Sequence, residues 1–269
     1  MSAEEPPRMP SRAGATTEPR ASASTVDRAL DVLLLFSSVR AATLGVSEIA
    51  QELGMSKPAV HRVLTSLRSR NLVELDEESR RYSLGLLAVS MGLRYQRGLV
   101  AAEAAIPALR PLSEACRETT TLSVRSGDRR YYVEQVTPDR PVVMMVQLAV
   151  PFPLHAGASS KAILAFLPEE QRHRYLTGPL EPVTPQTRTD PRGLRRELDE
   201  IRARGYAVSS SERQAGAAAV AAPILKGGEV VAAMSVCGPE ARFAPHFEAH
   251  AERLLGTAAR IAAELDGAA

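Results

Sequence analysis

The sequence contains few cysteines and no long apolar run. Its two cysteines, Cys116 and Cys237, lie far apart, whereas a disulfide framework or a zinc site needs several at short spacings. We therefore expect two reduced thiols. No apolar run approaches the ~18 residues that a membrane-spanning helix needs, and the first residues lack the basic-then-apolar pattern of a secretion signal. These features favour a cytoplasmic protein with no membrane partner.

Lysine is also scarce, because only Lys57, Lys161 and Lys226 contribute to the 33 basic residues. The 31 acidic residues leave a formal net charge of +2, so the overall charge does not indicate a nucleic-acid partner. Any such indication has to come from local charge. The length of 269 residues and a hydrophobic content of 45% predict a globular chain with two domains and a substantial core.

The N-terminal part divides into a tail and a small domain. Residues 1–22 are rich in Pro, Ala, Ser and Thr and predict a disordered tail. Residues 23–85 predict three helices with apolar residues at helical spacing, the second ended by Gly54 and the third capped by Ser56. Alternating residues in 72–75 and 82–84 then predict a two-stranded hairpin. Three helices and a hairpin form a winged helix-turn-helix.

The third helix carries the local positive charge of this domain. Residues 56–70 include four basic residues and no acid. Ser56 and Lys57 at its start suit contacts to phosphates, and Arg62 and Thr65 suit contacts to base edges in a major groove. His61 suits either kind of contact, or is simply a surface histidine.

Two arginines of the hairpin extend this surface. Arg80 and Arg81 lie at its tip or return strand and suit backbone or minor-groove contacts, although they could equally balance the acids at 76–78. The candidate DNA-binding set is therefore Ser56, Lys57, Ala59, His61, Arg62, Thr65, Arg68, Arg80 and Arg81.

The remaining chain predicts a connecting helix and a larger domain of class α+β. One connecting helix is expected over residues 86–105, and the larger domain over 106–269. Its expected helices are 106–117, 159–167, 169–176, one from the Asp190–Pro191 cap to Gly205, and 247–265, and its expected strands are 120–125, 130–136, 142–148, 220–225 and 230–237.

The order of short motifs resembles the IclR (isocitrate lyase regulator) family of bacterial transcription factors over about residues 25–265. The segments that carry the resemblance are VDRAL (26–30), SKPAVHRVL (56–64), RYSLG (81–85), PLHAGASSKA (153–162), RGY (204–206), AAP (221–223) and MSVCGP (234–239). It implies a winged helix that binds operator DNA, a GAF-like domain that binds a small organic-acid effector, and no cofactor. It also implies a dimer or a tetramer that represses or activates a catabolic operon, and we expect repression.

The resemblance also nominates the effector site. Residues 157–160 are small and lead into a helix, whose free N–H groups could receive a carboxylate. Ser235 and Cys237 are two apart, so on a strand they share one face. Ser209 stands where a familiar member has an acid, and Ala217 and Ala219 stand where it has bulkier residues, which predicts a roomier and less acidic pocket. The candidate effector residues are Met144, Phe152, Ala158, Ser159, Ser209, Ala217, Ala219, Ser235 and Cys237.

An enzyme is the alternative reading of the larger domain. Cys237 or Ser159 would be its nucleophile and His155 its base, or His155 would bind a metal with the histidines at 173 and 246. No local motif supports either scheme, so we expect no catalytic and no metal site. A purely structural protein would leave the basic helix and the small-residue loop unexplained.

Overall fold

The computed structural model describes residues 24–39 and 41–267, so the tail expected at residues 1–22 lies outside the described residues. The described residues form two compact units that divide between Arg94 and Tyr95. No helix in the described part of the chain is long and apolar enough to cross a membrane.

The first unit is the expected winged helix-turn-helix. Its elements are α1 (Thr25–Ser38), α2 (Val46–Leu53), α3 (Lys57–Arg68), and an antiparallel hairpin of β1 (Val73–Leu75) and β2 (Tyr82–Leu84). Ser24 caps α1 by accepting a hydrogen bond from the Asp27 N–H, which is the local signal expected there. A single apolar core joins the three helices to Val73 and Tyr82 of the hairpin.

The turn between α2 and α3 fixes which face of α3 remains outside. Gly54 ends α2 in the left-handed conformation at φ 62°, and Ser56 occupies the first capping position of α3. The stripe Val60, Val63, Leu64 and Leu67 is buried in the core. The polar face of α3 therefore points to solvent.

The expected connecting helix over 86–105 is wrong in its extent. Two helices occupy this region, α4 (Leu86–Arg97) and α5 (Ala102–Cys116), and the chain is not helical between them. Gly98, a poor helix former, follows α4 directly. α5 continues past Pro107 and Pro111 because Leu109 and Leu112 are buried in the larger core, and that burial outweighs the lost backbone hydrogen bonds.

The second unit is built on one antiparallel sheet of six strands, in the order β5-β4-β3-β8-β7-β6. Its strands are β3 (Thr119–Ser126), β4 (Arg129–Val136), β5 (Phe152–Pro153), β6 (Ala207–Ser210), β7 (Ala217–Lys226) and β8 (Glu229–Pro239), and its remaining helices are α6 (Ala158–Phe166), α7 (Glu169–Leu176), α8 (Pro191–Arg204), α9 (Glu240–Phe243) and α10 (Phe247–Gly267).

The two faces of the sheet carry separate cores, because alternate residues of a strand point to opposite faces. Val220, Ala222 and their even-numbered neighbours pack against α5 and α10. Ala221 and Ala233 pack with α6, α7 and α8. This second face holds the start of α6, where the sequence predicted a ligand site.

The strand expected at 142–148 does not form. Within this segment only Leu148 bridges to Tyr132, and the edge of the sheet is completed by the two residues of β5. The side-chain amide of Gln135 instead donates to the Val146 carbonyl and accepts from its N–H, at 3.1 and 3.0 Å. One side chain thus supplies both bonds that a neighbouring strand would have made. Strand β6, in contrast, was not predicted.

Gly85 is the position where the first unit is most sensitive to an added methyl group. A Cβ there would lie 2.3 Å from the Asn71 carbonyl oxygen, whereas a Cβ at Gly92 in α4 would have no heavy atom within 4 Å. We expect Gly85→Ala to destabilise the unit by about 1–3 kcal/mol. Gly92→Ala, its matched control, should stabilise α4 by about 0.5–1 kcal/mol. Urea unfolding of both variants tests this, and equal midpoints would contradict it.

Candidate DNA interface and ligand pocket

The exposed face of α3 carries free positive charge. Lys57, His61 and Arg62 are exposed, and α3 contains no acidic residue. Lys57 and Arg62 have no carboxylate within ion-pair distance in residues 24–39 and 41–267. The Ser56 hydroxyl makes no capping hydrogen bond, so it too remains available. A phosphate or a base edge could reach all four groups from solvent.

Two members of the predicted DNA-binding set, Ala59 and Thr65, make contacts within the protein. Ala59 is 7% exposed, so its methyl group faces inward and offers a ligand almost no surface. The Thr65 hydroxyl donates to the His61 carbonyl at 2.8 Å, although its side chain is exposed. Thr65 therefore retains its methyl group and oxygen lone pairs for contacts outside the helix.

Both arginines of the hairpin are paired with acids, but only Arg80 pairs with one of the acids at 76–78 that the alternative interpretation named. Arg80 lies 2.5 Å from Glu77, and Arg68 of α3 lies 3.7 Å from the same carboxylate. Arg81 forms two hydrogen bonds to Glu48 at 3.0 and 2.8 Å, and its Nε donates to Thr43 at 2.9 Å.

The pairing of Arg81 therefore fastens the hairpin to the start of α2. The Glu48 partner was missed because 33 residues separate it from Arg81. The guanidinium holds the pKa of the Glu48 carboxyl below its usual value, with a further contribution from the Gly45 N–H. A cleft of about 520 Å³ lies here, lined by His61, Arg80 and the first turn of α2 among others.

The second unit has a pocket at the start of α6. Seven of the nine predicted effector residues line it: Met144, Ala158, Ser159, Ser209, Ala217, Ala219 and Cys237. Phe152 belongs to the apolar cluster beside it, with Met144 and Cys237. Ser235 does not line the pocket, because its buried hydroxyl is bonded to that of Thr121 at 2.6 Å.

Part of the expected carboxylate receptor at the start of α6, the N–H of Ala158, is engaged by the protein itself. The Ala158 N–H donates to the Ser209 hydroxyl and the Gly157 N–H to Glu212, both at 3.1 Å. Glu212 also bonds the Lys161 ammonium at 2.5 Å. The serine at 209 thus caps the helix rather than merely widening the pocket.

The structure adds two arginines that sequence reasoning missed. Arg130 and Arg213 line the pocket with Tyr132 and Gln214, and the lining contains no acidic residue. The guanidinium carbon of Arg130 lies 3.9 Å from the Tyr132 ring centroid, and that of Arg213 lies 5.7 Å from it. The alternation in β4 could have revealed Arg130, since it shares the inner face with Tyr132 two residues on.

The pocket is closed in this structure. Its volume is about 20 Å³, enough for about one water molecule and far below that of an occupied ligand site. The pocket is therefore not the roomier one expected from Ala217 and Ala219, and Arg130 and Arg213 are among the residues that line it. The expectation of a less acidic lining agrees with the residues present.

Two residues of the enzyme alternative, His155 and Cys237, are poorly placed for catalysis. His155 is buried with both ring nitrogens engaged, Nδ1 with the Tyr175 hydroxyl at 2.9 Å and Nε2 with the Glu181 carbonyl at 2.8 Å, and burial lowers its pKa. Burial raises the pKa of Cys237 to about 11, so it is a neutral thiol. No group of three or more possible metal ligands occurs among the described residues.

Comparison with known proteins agrees with this two-part organisation. Residues 25–77 match the model of the IclR helix-turn-helix domain, and residues 95–263 match that of the bacterial transcriptional regulator IclR C-terminal domain. The chain belongs to the IclR family. It is thus a transcriptional regulator with a helix-turn-helix DNA-binding domain, as the sequence resemblance implied.

Individual relatives match nearly the whole chain. The HTH-type transcriptional regulator BhcR of Paracoccus denitrificans is 36% identical over 219 residues, which are 81% of this chain and 78% of that protein. The Thermotoga maritima IclR structure has a TM-score of 0.79 at 30% identity and covers 90% of this chain and 98% of its own. Such relatives are named as regulators, not enzymes.

A further structural relative contains a ligand. An IclR homolog from Microbacterium hydrocarbonoxydans complexed with 4-hydroxybenzoate has a TM-score of 0.79 at 27% identity, covering 91% of this chain and all of its own.

The thiol chemistry of the native protein can be tested directly. Cys116 and Cys237 are both buried, and burial raises the pKa of each. We expect neither thiol to react promptly with Ellman's reagent at about pH 8, and both to react in urea. Cys116→Ala and Cys237→Ala identify the source of any fast reaction. Fast modification of native Cys237 would restore it as a candidate nucleophile.

Proposed function

We propose that this protein is a repressor that binds operator DNA through α3 as a homodimer, which can pair further into a tetramer, and that a small organic acid in the α6 pocket modulates this binding. The observation that supports DNA binding most directly is the acid-free exposed face of α3, with Lys57 and Arg62 unpaired among the described residues. Operator DNA lies in the bacterial cytoplasm, so the proposal places the protein there.

The ligand part of the proposal depends on the charge of the pocket. Its lining contains two arginines and no acid, which favours an anion. The relative bound to 4-hydroxybenzoate carries a monocarboxylate of this chemistry. A dimer on promoter DNA covers the duplex that polymerase needs, so repression is the simplest action.

A selected operator tests the proposal as a whole. A random duplex pool is enriched on the full-length protein, and the selected site is bound in the presence and absence of small organic acids. We expect a partly palindromic site whose affinity changes with at least one acid. Binding that is equal on selected and scrambled duplexes would refute the DNA-binding part.

Arg62 and Lys57 should differ in the kind of contact they make. Arg62→Ala should weaken operator binding by about 1–3 kcal/mol and change binding to scrambled DNA much less, because a guanidinium can form two bonds to a guanine. Lys57→Ala should weaken both equally, because a phosphate contact carries no sequence information. Fluorescence anisotropy over a salt series separates them. Equal losses for Arg62→Ala on both duplexes would make it a phosphate contact.

Homodimer formation is supported by exposed apolar side chains on α4. None of its residues is buried, and Leu86, Val89 and Leu93 lie along one face. One recognition helix reads too few base pairs for specificity, and two-fold pairing doubles the readout. Dimerisation would cover these side chains, which cost free energy in water.

Charge on that face should break the dimer. We expect wild type to have a mass near twice 28.9 kDa, or a larger multiple, by light scattering. Val89→Glu with Leu93→Glu should shift the mass to that of one chain and lower operator affinity, whereas Met91→Glu, exposed on the opposite side of α4, should not. A wild-type monomer with full operator affinity would contradict the proposal.

A further inference from the structure

Arg130 is a buried cation without a carboxylate. It is 1% exposed, and its Nε donates to the Ser160 hydroxyl at 2.8 Å and its Nη1 to the Ser123 hydroxyl at 3.1 Å. Both partners are neutral. No acidic side chain lies within ion-pair distance of Arg130 in residues 24–39 and 41–267. Burying such a charge without an anion is costly, so the site is electrostatically incomplete.

Among the described residues, two other buried cations, Lys161 and Arg172, are each paired with two carboxylates. Lys161 is 0% exposed and bonds both Glu197 and Glu212, each at 2.5 Å. Arg172 is 6% exposed and pairs with Glu169 and Asp199. Arg130 departs from this pattern, and it departs at the pocket wall. An anion that compensated this charge would therefore lie at the pocket wall.

Arg213 strengthens this conclusion from the partly exposed side. Its guanidinium carbon lies 5.3 Å from the Phe152 ring centroid, and that of Arg130 lies 4.9 Å from the same ring. Arg213 also has no acidic partner in the described part of the chain, because the neighbouring Glu212 is turned towards Lys161 and Gly157. Two guanidinium groups thus flank one pair of aromatic rings with no compensating charge.

We propose that Arg130, assisted by Arg213, is the receptor for the carboxylate of an organic-acid effector. This inference rests on the proposed ligand function of the same pocket. A guanidinium can bind both oxygens of a carboxylate, and stacking on Tyr132 holds its plane. The Ala158 N–H, which would otherwise compete for the acid, is already bonded to Ser209.

Direct binding to the full-length protein without DNA tests the receptor. The probes are pyruvate, benzoate and 4-hydroxybenzoate, each beside its neutral amide, measured by calorimetry at up to millimolar concentration. We expect at least one acid to bind, and its amide to bind about 10- to 100-fold more weakly because it lacks the charge. The proposal is overturned if no acid binds or if each amide binds as well as its acid.

Three substitutions locate the charge. Arg130→Gln should lose about 10- to 100-fold in affinity for the bound acid, and Arg213→Gln should lose part of it. Arg129→Gln, at the exposed neighbouring position, is the matched control and should bind as wild type. Wild-type affinity in Arg130→Gln would overturn the assignment. If that variant does not fold, the partly exposed Arg213 decides, and an unchanged affinity in Arg213→Gln is then the overturning result.

The unfolding temperature of the unliganded protein distinguishes a receptor from a structural residue, because replacing a structural Arg130 should lower that temperature. A receptor lacking its anion carries a free-energy cost, so Arg130→Gln should unfold at the same or a higher temperature than wild type. A lower temperature together with unchanged acid binding would make Arg130 structural. DNA binding of the wild type, measured without acid, separates the two proposals. A wild type that binds no DNA would refute the operator role, whereas the acid-binding measurement would still test the receptor.

Discussion

The protein buries a lysine ammonium completely, and the walls of the ligand pocket depend on how that charge is neutralised. Lys161 of α6 bonds Glu197 of α8 and Glu212 of the segment after β6, while Glu212 also accepts the Gly157 N–H at the start of α6. Removing either carboxylate would leave a buried charge under-compensated. The three elements are therefore fixed together, and with them the position of Arg213. A compact ammonium with three donors suits two converging carboxylates better than a planar guanidinium does. This explains why position 161 holds one of the few lysines of the chain.

The same constraint distinguishes structural from available charges in the first unit. Arg81 is satisfied by Glu48 and Thr43, so its role is to hold the hairpin against α2. Arg80 and Arg68 share one exposed glutamate, a pairing that is weak in water and exchangeable for a phosphate. Lys57 and Arg62 need no exchange because no acid holds them within the described residues. Whether a basic residue on this surface is available to DNA thus depends on its acidic partners, which composition alone does not give.

Sequence predicted the features that depend on near neighbours. The stripe of α3, the left-handed end at Gly54, the Asp190 cap and the Gly205 end of α8 all follow from residues a few positions apart, and all are present. The absence of a strand at 142–148 and the bonding of the Ala158 N–H at the start of α6 depend instead on distant side chains. Gln135 replaces a strand partner, and Ser209 reaches a helix 51 residues away. Arg130 was missed for the same reason, since its significance lies in the absence of an acid that only the fold can establish.

The closed pocket also limits how an acid can act. With about 20 Å³ of space, the pocket in its present arrangement cannot hold an organic acid. Binding therefore requires a second arrangement of the walls, and only the difference in affinity between the two arrangements can shift the protein from one to the other. The uncompensated charge of Arg130 makes the unliganded arrangement less stable than its packing alone would allow. Under the proposed assignment, a carboxylate that reaches the guanidinium would remove that cost, so the charge that selects the ligand would also supply the free energy for the change.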